Sequence, residues 1–270
     1  MMTSATNASS SPPRAAAAWR RWHAALMPDY NRKATVYWWT VVALGIGAVL
    51  LSLAQLAGES AQTWVQVALG MSIAMVAGLF PVRIPRSKNS FAAGEIFIFL
   101  VLLMHGPAAA TLAAAGESAV GAWRTSKRWT SRIASPAMSA LAMCSAAAVF
   151  DSANAALRSA GVFSDGFLVT TAMVFAALYF VVNAVLATAL PLLKRNERLL
   201  WSHLMGLMGW IGFAYAGSAA VAALLFLAYR QSGFGVLLAV VPLLGALLAA
   251  FHYYNRQIEA QAAARDAADE

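Results

Sequence analysis

Residues 91–122 read FAAGEIFIFLVLLMHGPAAATLAAAGESAVGA, two apolar arms that meet at His105-Gly106-Pro107. Each arm holds one carboxylate eleven positions from Gly106, Glu95 before it and Glu117 after it. A helix rises about 1.5 Å per residue, so both acids are expected roughly 16 Å from the turn. That depth is near the middle of a hydrocarbon layer about 30 Å thick. A carboxylate placed there is costly and faces protein or trapped water, which makes Glu95 and Glu117 the first candidate functional site. Two acids at close quarters in a low dielectric cannot both ionise comfortably, so the pair is expected to hold a proton, share one or bind a cation. The structural alternative has Glu95 bonded as a neutral acid to nearby backbone and Glu117 lying toward the inner interface beside Arg124.

Around this stretch the chain is 61% hydrophobic and only 11% charged, whereas about a quarter of the residues of an ordinary soluble domain carry charge. It reads as a membrane protein. The net charge of +8 follows from position, because inner loops of membrane proteins collect Lys and Arg. With both termini inside, all of the 19 Lys and Arg residues except Arg158 and Arg230 fall in inner segments. Nucleic acid is therefore not needed as a partner. The single Cys144 sits among small apolar residues, which excludes a disulfide framework and suggests a buried hydrophobe. No cleavable secretory signal is legible in MMTSATNASSSPPR.

In order along the chain, residues 1–34 are expected to form a disordered leader and an interfacial amphipathic segment built on Trp19, Trp22, Leu26 and Met27. Spans follow at about 35–57, opened by a Tyr37, Trp38 and Trp39 aromatic belt, and at 63–80. The two short arms lie within 89–122, about 17 residues each, at the lower limit for crossing, with a re-entrant hairpin as the alternative. Further spans are read at 136–156, 167–193, 203–229 and 234–254. The fold class is all-α, a polytopic membrane bundle of about eight transmembrane helices over 35–254 with both termini cytoplasmic. Residues 255–270 are expected to continue the last span as a cytoplasmic exit helix, since no Gly or Pro interrupts them. Arg124, Lys127, Arg128 and Arg132, set between Trp123 and Trp129, form the strongest inner-loop basic cluster.

Two other polar residues join the acids as candidates for ligand or proton sensing. His105, at the outer turn, has the chemistry of a pH sensor, or caps the turn in the headgroup layer. Asn183, within a span, offers an interhelical hydrogen bond. The scattered histidines lack metal-site spacing, and no phosphate loop, CxxC pair, GxSxG elbow or HExxH is present, so neither a metal, a cofactor nor an enzymatic role is expected of these residues. Gly94-Glu95 and Gly116-Glu117 repeat one dipeptide in both arms, and a glycine beside each acid would admit a neighbouring backbone or a ligand.

Residues 90–141, SFAAGEIFIFLVLLMHGPAAATLAAAGESAVGAWRTSKRWTSRIASPAMSAL, resemble the membrane-embedded N-terminal sensor regions (MASE-like) of bacterial cyclic di-GMP signalling proteins, in which several spans precede GGDEF, EAL or HD-GYP output domains. The similar features are the acid-bearing arm, the Gly106-Pro107 turn, the small-residue arm with its own acid, the basic Trp-punctuated loop and the Ser135-Pro136 helix start. The likeness covers roughly residues 80 to 145. No GGDEF, EAL or HD motif occurs in the chain, so output activity is not carried over.

The resemblance implies a sensor or transducer in the bacterial inner membrane that passes a ligand or protonation signal through its C-terminal helix to a cytoplasmic signalling domain or partner. The lipid bilayer is its expected environment and a homodimer a further expected partner. The alternative is a small-molecule or cation-coupled transporter that uses the same two acids.

Overall fold

A computed structural model of the chain describes residues 27–79, 81–83, 90–92, 94–162, 164–197 and 210–269. Residues 1–26 of the leader and the early part of the seventh expected span, with His203 and Gly206, lie outside these; at the leader's end Met27 is buried in the bundle and the first helix already begins at Arg32. Seven helices and one small ribbon make up the described chain: α1 (Arg32–Leu56), α2 (Ala61–Gly78), β1 (Pro81–Arg83), β2 (Ser90–Ala92), α3 (Glu95–Thr125), α4 (Trp129–Ser159), α5 (Asp165–Arg195), α6 (Trp210–Ser232) and α7 (Gly235–Asp269). Six of these helices, α1 to α6, are long and apolar enough to cross a membrane by length and composition, α3 counting both sides of its break at Gly106. The protein is therefore an all-helical membrane protein, apart from the ribbon.

Local sequence sets the helix ends. Asn31, Ser60 and Ser164 each accept a hydrogen bond from a first-turn backbone N–H, of Ala34, Thr63 and Phe167. Asn196 ends α5 in the left-handed conformation that small polar residues tolerate at a helix C-terminus.

Helix α3 is not straight. Gly106 adopts φ 81° and ψ −175°, a region open essentially to glycine alone, and Pro107 follows as a residue preset to start a helix. The chain folds back there into two arms, 95–105 and 107–125. In a straight helix Glu95 and Glu117 would stand about 33 Å apart. Instead, Glu117 packs against Gly94, the residue preceding Glu95. Arm 95–105 runs along α2, with Gly94 at Ala74 and Val101 at Gly70.

The first arm is shorter than the sequence suggests. Residues 81–83 and 90–92 pair as an antiparallel ribbon, Pro81 with Ala92 and Arg83 with Ser90. Backbone groups committed to the ribbon are lost to a helix, so α3 starts at Glu95 rather than near residue 89 and Glu95 occupies its first turn. Helix α4 departs the other way. It starts at Trp129, seven positions before Pro136, which is held within the helix.

The hairpin is the centre of the bundle, packed against α1, α2, α4 and α6. Lipid removes the hydrophobic drive between helices, so close approach of small residues has to supply contact. Ala109, Ala110, Ala113 and Ala114 on the second arm and Ala140, Ala142, Ala146 and Ala147 on α4 are fully buried. Gly45 of α1 lies so close to Ala137 of α4 that any side chain would overlap the Ala137 backbone.

Trp38 corrects the expected belt. It is only 1% exposed, and its indole N–H donates to the Thr130 carbonyl at 3.0 Å. Trp39, next to it, is 49% exposed and alone of the two faces outward. At the same end Tyr37 donates to the Leu186 carbonyl, 2.8 Å, and the Asn31 amide donates to the Leu193 and Lys194 carbonyls. The start of α1, the start of α4 and the end of α5 thus share one face of the bundle. On the opposite face, Asp165 at the start of α5 pairs with Arg230 at the end of α6, 3.5 Å apart.

Candidate functional site

Glu95 and Glu117 come together because a glycine turn folds their arms and two glycines, Gly78 and Gly94, leave room for Glu117. A Cβ added at Gly94 would lie 2.9 Å from the Ala74 carbonyl oxygen and 3.0 Å from Glu117 Cγ. One added at Gly78 would lie 3.0 Å from Glu117 Oε1. Gly116, the other half of the repeated dipeptide, faces the Met71 and Met75 side chains. The space beside each acid is therefore taken up by neighbouring protein.

The two carboxyls are 3% and 6% exposed and lie within electrostatic reach of one another. Tyr215 of α6 donates its hydroxyl to Glu95. Glu95 Oε2 is buried and has no hydrogen-bond partner among the described residues. Tyr179 of α5 faces both acids and bonds Ser139 of α4 at 2.9 Å. Tyr179 and Tyr215 are 5.8 Å apart between ring centroids, and Phe99 meets Tyr179 edge-on at 6.0 Å. Phe175 and Phe180 extend this aromatic floor. The acids thus sit on an aromatic platform drawn from α5, α6 and the hairpin, where the Tyr215 hydroxyl bonds Glu95 and Tyr179 lies within electrostatic reach of both acids.

His105 stands about ten residues of helix away at the turn, partly buried and facing Glu59, so it does not join the acids. Asn183 is partly buried on α5, and no hydrogen bond to it is found among the described residues. The interhelical amide contact is made elsewhere, by Asn154 of α4 accepting from Thr171 of α5 at 3.1 Å. Arg124, in the last turn of the second arm, and Lys127 and Arg128 beyond it are exposed. Arg132 covers the Trp123 ring at 4.1 Å and donates to the Ser126 carbonyl at 2.8 Å, and Arg128 pairs with Asp29. No cluster of three or more His, Cys, Asp or Glu side chains able to hold a metal occurs among the described residues.

Tyr179, Tyr215, Ser139 and Gly78 belong to the site and were not singled out by sequence. A tyrosine in an apolar run reads as an interfacial residue, and a glycine at a helix end as a stop. The signal that could have found the tyrosines is their place well inside spans, away from any basic loop. Comparison with protein-family models, with curated proteins and with solved structures gives no match.

Proposed function

We propose that the chain is a bacterial inner-membrane sensor module whose stimulus is protonation of the Glu95–Glu117 pair, relayed to the cytoplasm through α7. The observation that carries this reading is the enclosed pair itself: two carboxyls share one buried site, one oxygen lacks a partner, and glycine backbones close around them. Protein already fills that site, which favours a proton over a larger ligand and favours sensing over transport of a substrate.

The relay has two physical connections. Glu95 is tied through Tyr215 to α6, which packs on α7. Glu95 also follows β2 by three residues, and the partner strand β1 touches α7. Adding or removing a proton changes both the Glu95–Tyr215 bond and the repulsion between the hairpin arms, so the two protonation states bind the closed hairpin differently. Such a difference is what a stimulus must have to shift a conformational equilibrium.

The first hairpin arm, about 16 Å long, is too short to cross, so the hairpin enters from the cytoplasmic side and returns to it between crossing helices, and both ends lie in the cytoplasm. Arg32, Lys33, Arg124, Arg128, Lys194 and Arg195 lie at one shared end of the bundle, which supports that orientation. The resemblance to sensor regions of cyclic di-GMP proteins fits a cytoplasmic output domain or partner beyond α7. The test fuses a reporter enzyme after Glu270 and follows its output while cytoplasmic and external pH are clamped. Glu95→Gln and Glu117→Gln are expected to abolish the pH response. Wild-type response in both variants, or proton-coupled flux by the purified protein in liposomes, would overturn the proposal.

A further inference from the structure

A groove of about 690 Å³ opens between α2, the first hairpin arm, the end of α6 and the start of α7, and neither acid lines it. Its volume falls in the range of about 300–1,000 Å³ that small-molecule sites occupy. Polarity is graded along it. Gln62 and Gln66 lie one turn apart at the start of α2, beside His105 at the hairpin turn and Tyr229 near the end of α6. These four side chains ring one end. Below them Leu69 and Ile73 continue the Gln62/Gln66 face of α2 and line the groove together with Phe97, Val101, Leu238 and Val241, with no further hydrogen-bonding side chain. From Gln62 to Ile73 the groove runs about 16 Å along the helix.

Gly70 deepens the floor, since a side chain there would overlap Val101. Leu69 and Leu238 remain 49% and 64% exposed on its walls. An apolar trough capped at one end by two amides, an imidazole and a phenol, each able to donate a hydrogen bond, matches an amphiphile with a hydrocarbon chain and a head that accepts hydrogen bonds. A plain hydrocarbon would leave the four polar groups unused.

From this graded lining we infer that the groove binds a single-chain fatty acid, its chain along Leu69 and Ile73 and its carboxyl at Gln62, Gln66 and His105. The site lies apart from the acid pair and is independent of the proton reading. The test uses the full chain in nanodiscs with a diazirine-bearing palmitate, competed by unlabelled palmitate, palmityl alcohol or hexadecane. Saturable labelling of peptides covering 62–73, 97–105 and 234–242 is expected, displaced by palmitate, more weakly by palmityl alcohol and not by hexadecane; displacement by the alcohol as strong as by palmitate overturns the carboxyl assignment. Gln62→Leu with Gln66→Leu is expected to weaken palmitate at least tenfold, and Leu69→Trp or Leu238→Trp to abolish labelling. Leu44→Trp, on an exposed position of α1 away from the groove, is the control and leaves it unchanged. Labelling that never saturates, that spreads evenly over α1, or that hexadecane displaces as well as palmitate means annular lipid only and overturns the inference.

Discussion

Glu117 reaches across the hairpin to Gly94, its Cγ 3.0 Å from where a Cβ would stand on that glycine. The contact fixes the depth of one acid against the residue that precedes the other. It leaves no slack, because the Ala74 carbonyl closes the same space from α2 at 2.9 Å. Gly94→Ala is expected to destabilise the protein by about 1–3 kcal/mol through overpacking against backbone that cannot move away. Gly47→Ala, on α1 with nothing within 4 Å, is expected to be neutral or stabilising. Thermal unfolding of both in detergent, read as loss of monodispersity, measures the contrast.

At the turn the cost has a different origin. Nothing crowds Gly106, yet its φ of 81° with ψ near 180° is denied to residues with a Cβ. Gly106→Ala is expected to cost about 1–3 kcal/mol despite the empty space around it. Pro107→Ala is expected to cost less, since a proline at the first position of a helix gives up no hydrogen bond and mainly presets φ. The same unfolding measurement ranks the two.

These two positions bear on how much was legible beforehand. The fold-back at Gly106 could be read because glycine and proline each act through their own backbone, and the symmetric spacing of Glu95 and Glu117 follows directly from such a turn. The ribbon over 81–92 could not, since pairing of three-residue strands depends on where the helices on either side deliver the chain. Trp38 was misread for a related reason. Indole at a span end has the same amphipathic character whether it faces lipid or, as here, a carbonyl of α4. The tyrosine platform under the acids depends on the relative rotation of α5 and α6, which local pattern does not encode.

The platform gives its own expectation. Tyr215→Phe removes the hydroxyl that bonds Glu95 and leaves a buried carboxyl with neither oxygen served by that partner, a loss of about 1–3 kcal/mol. In the Glu95→Gln background the same change is expected to cost less, so a double-mutant cycle yields a coupling energy of about 0.5 kcal/mol or more. Tyr179→Phe, whose hydroxyl bonds Ser139 rather than Glu95, is expected to show a smaller coupling to Glu95.

Asn31 serves two helices with one amide. Its oxygen accepts from the Ala34 N–H, 2.8 Å, at the start of α1, and its nitrogen donates to the Leu193 and Lys194 carbonyls at the end of α5. Asn31→Asp keeps the cap on α1 but sets a carboxylate against carbonyl oxygens, and is expected to be at least as damaging as Asn31→Ala, which costs about 1–2 kcal/mol. Asp29→Asn, which breaks the exposed pair with Arg128, is expected to change stability by less than about 1 kcal/mol. Unfolding midpoints for the three variants give the order.

That double use of Asn31 has a consequence for how the protein is made. Asn31 and Leu193 are separated by 162 positions in the chain, so their bond cannot close when α1 first leaves the ribosome. Four later helices must be synthesised and delivered into the bilayer before the end of α5 arrives to complete it. Until then α1 waits in lipid with its neighbours missing, and the arrival of Leu193 acts as the latch that ends the vulnerable phase of biogenesis.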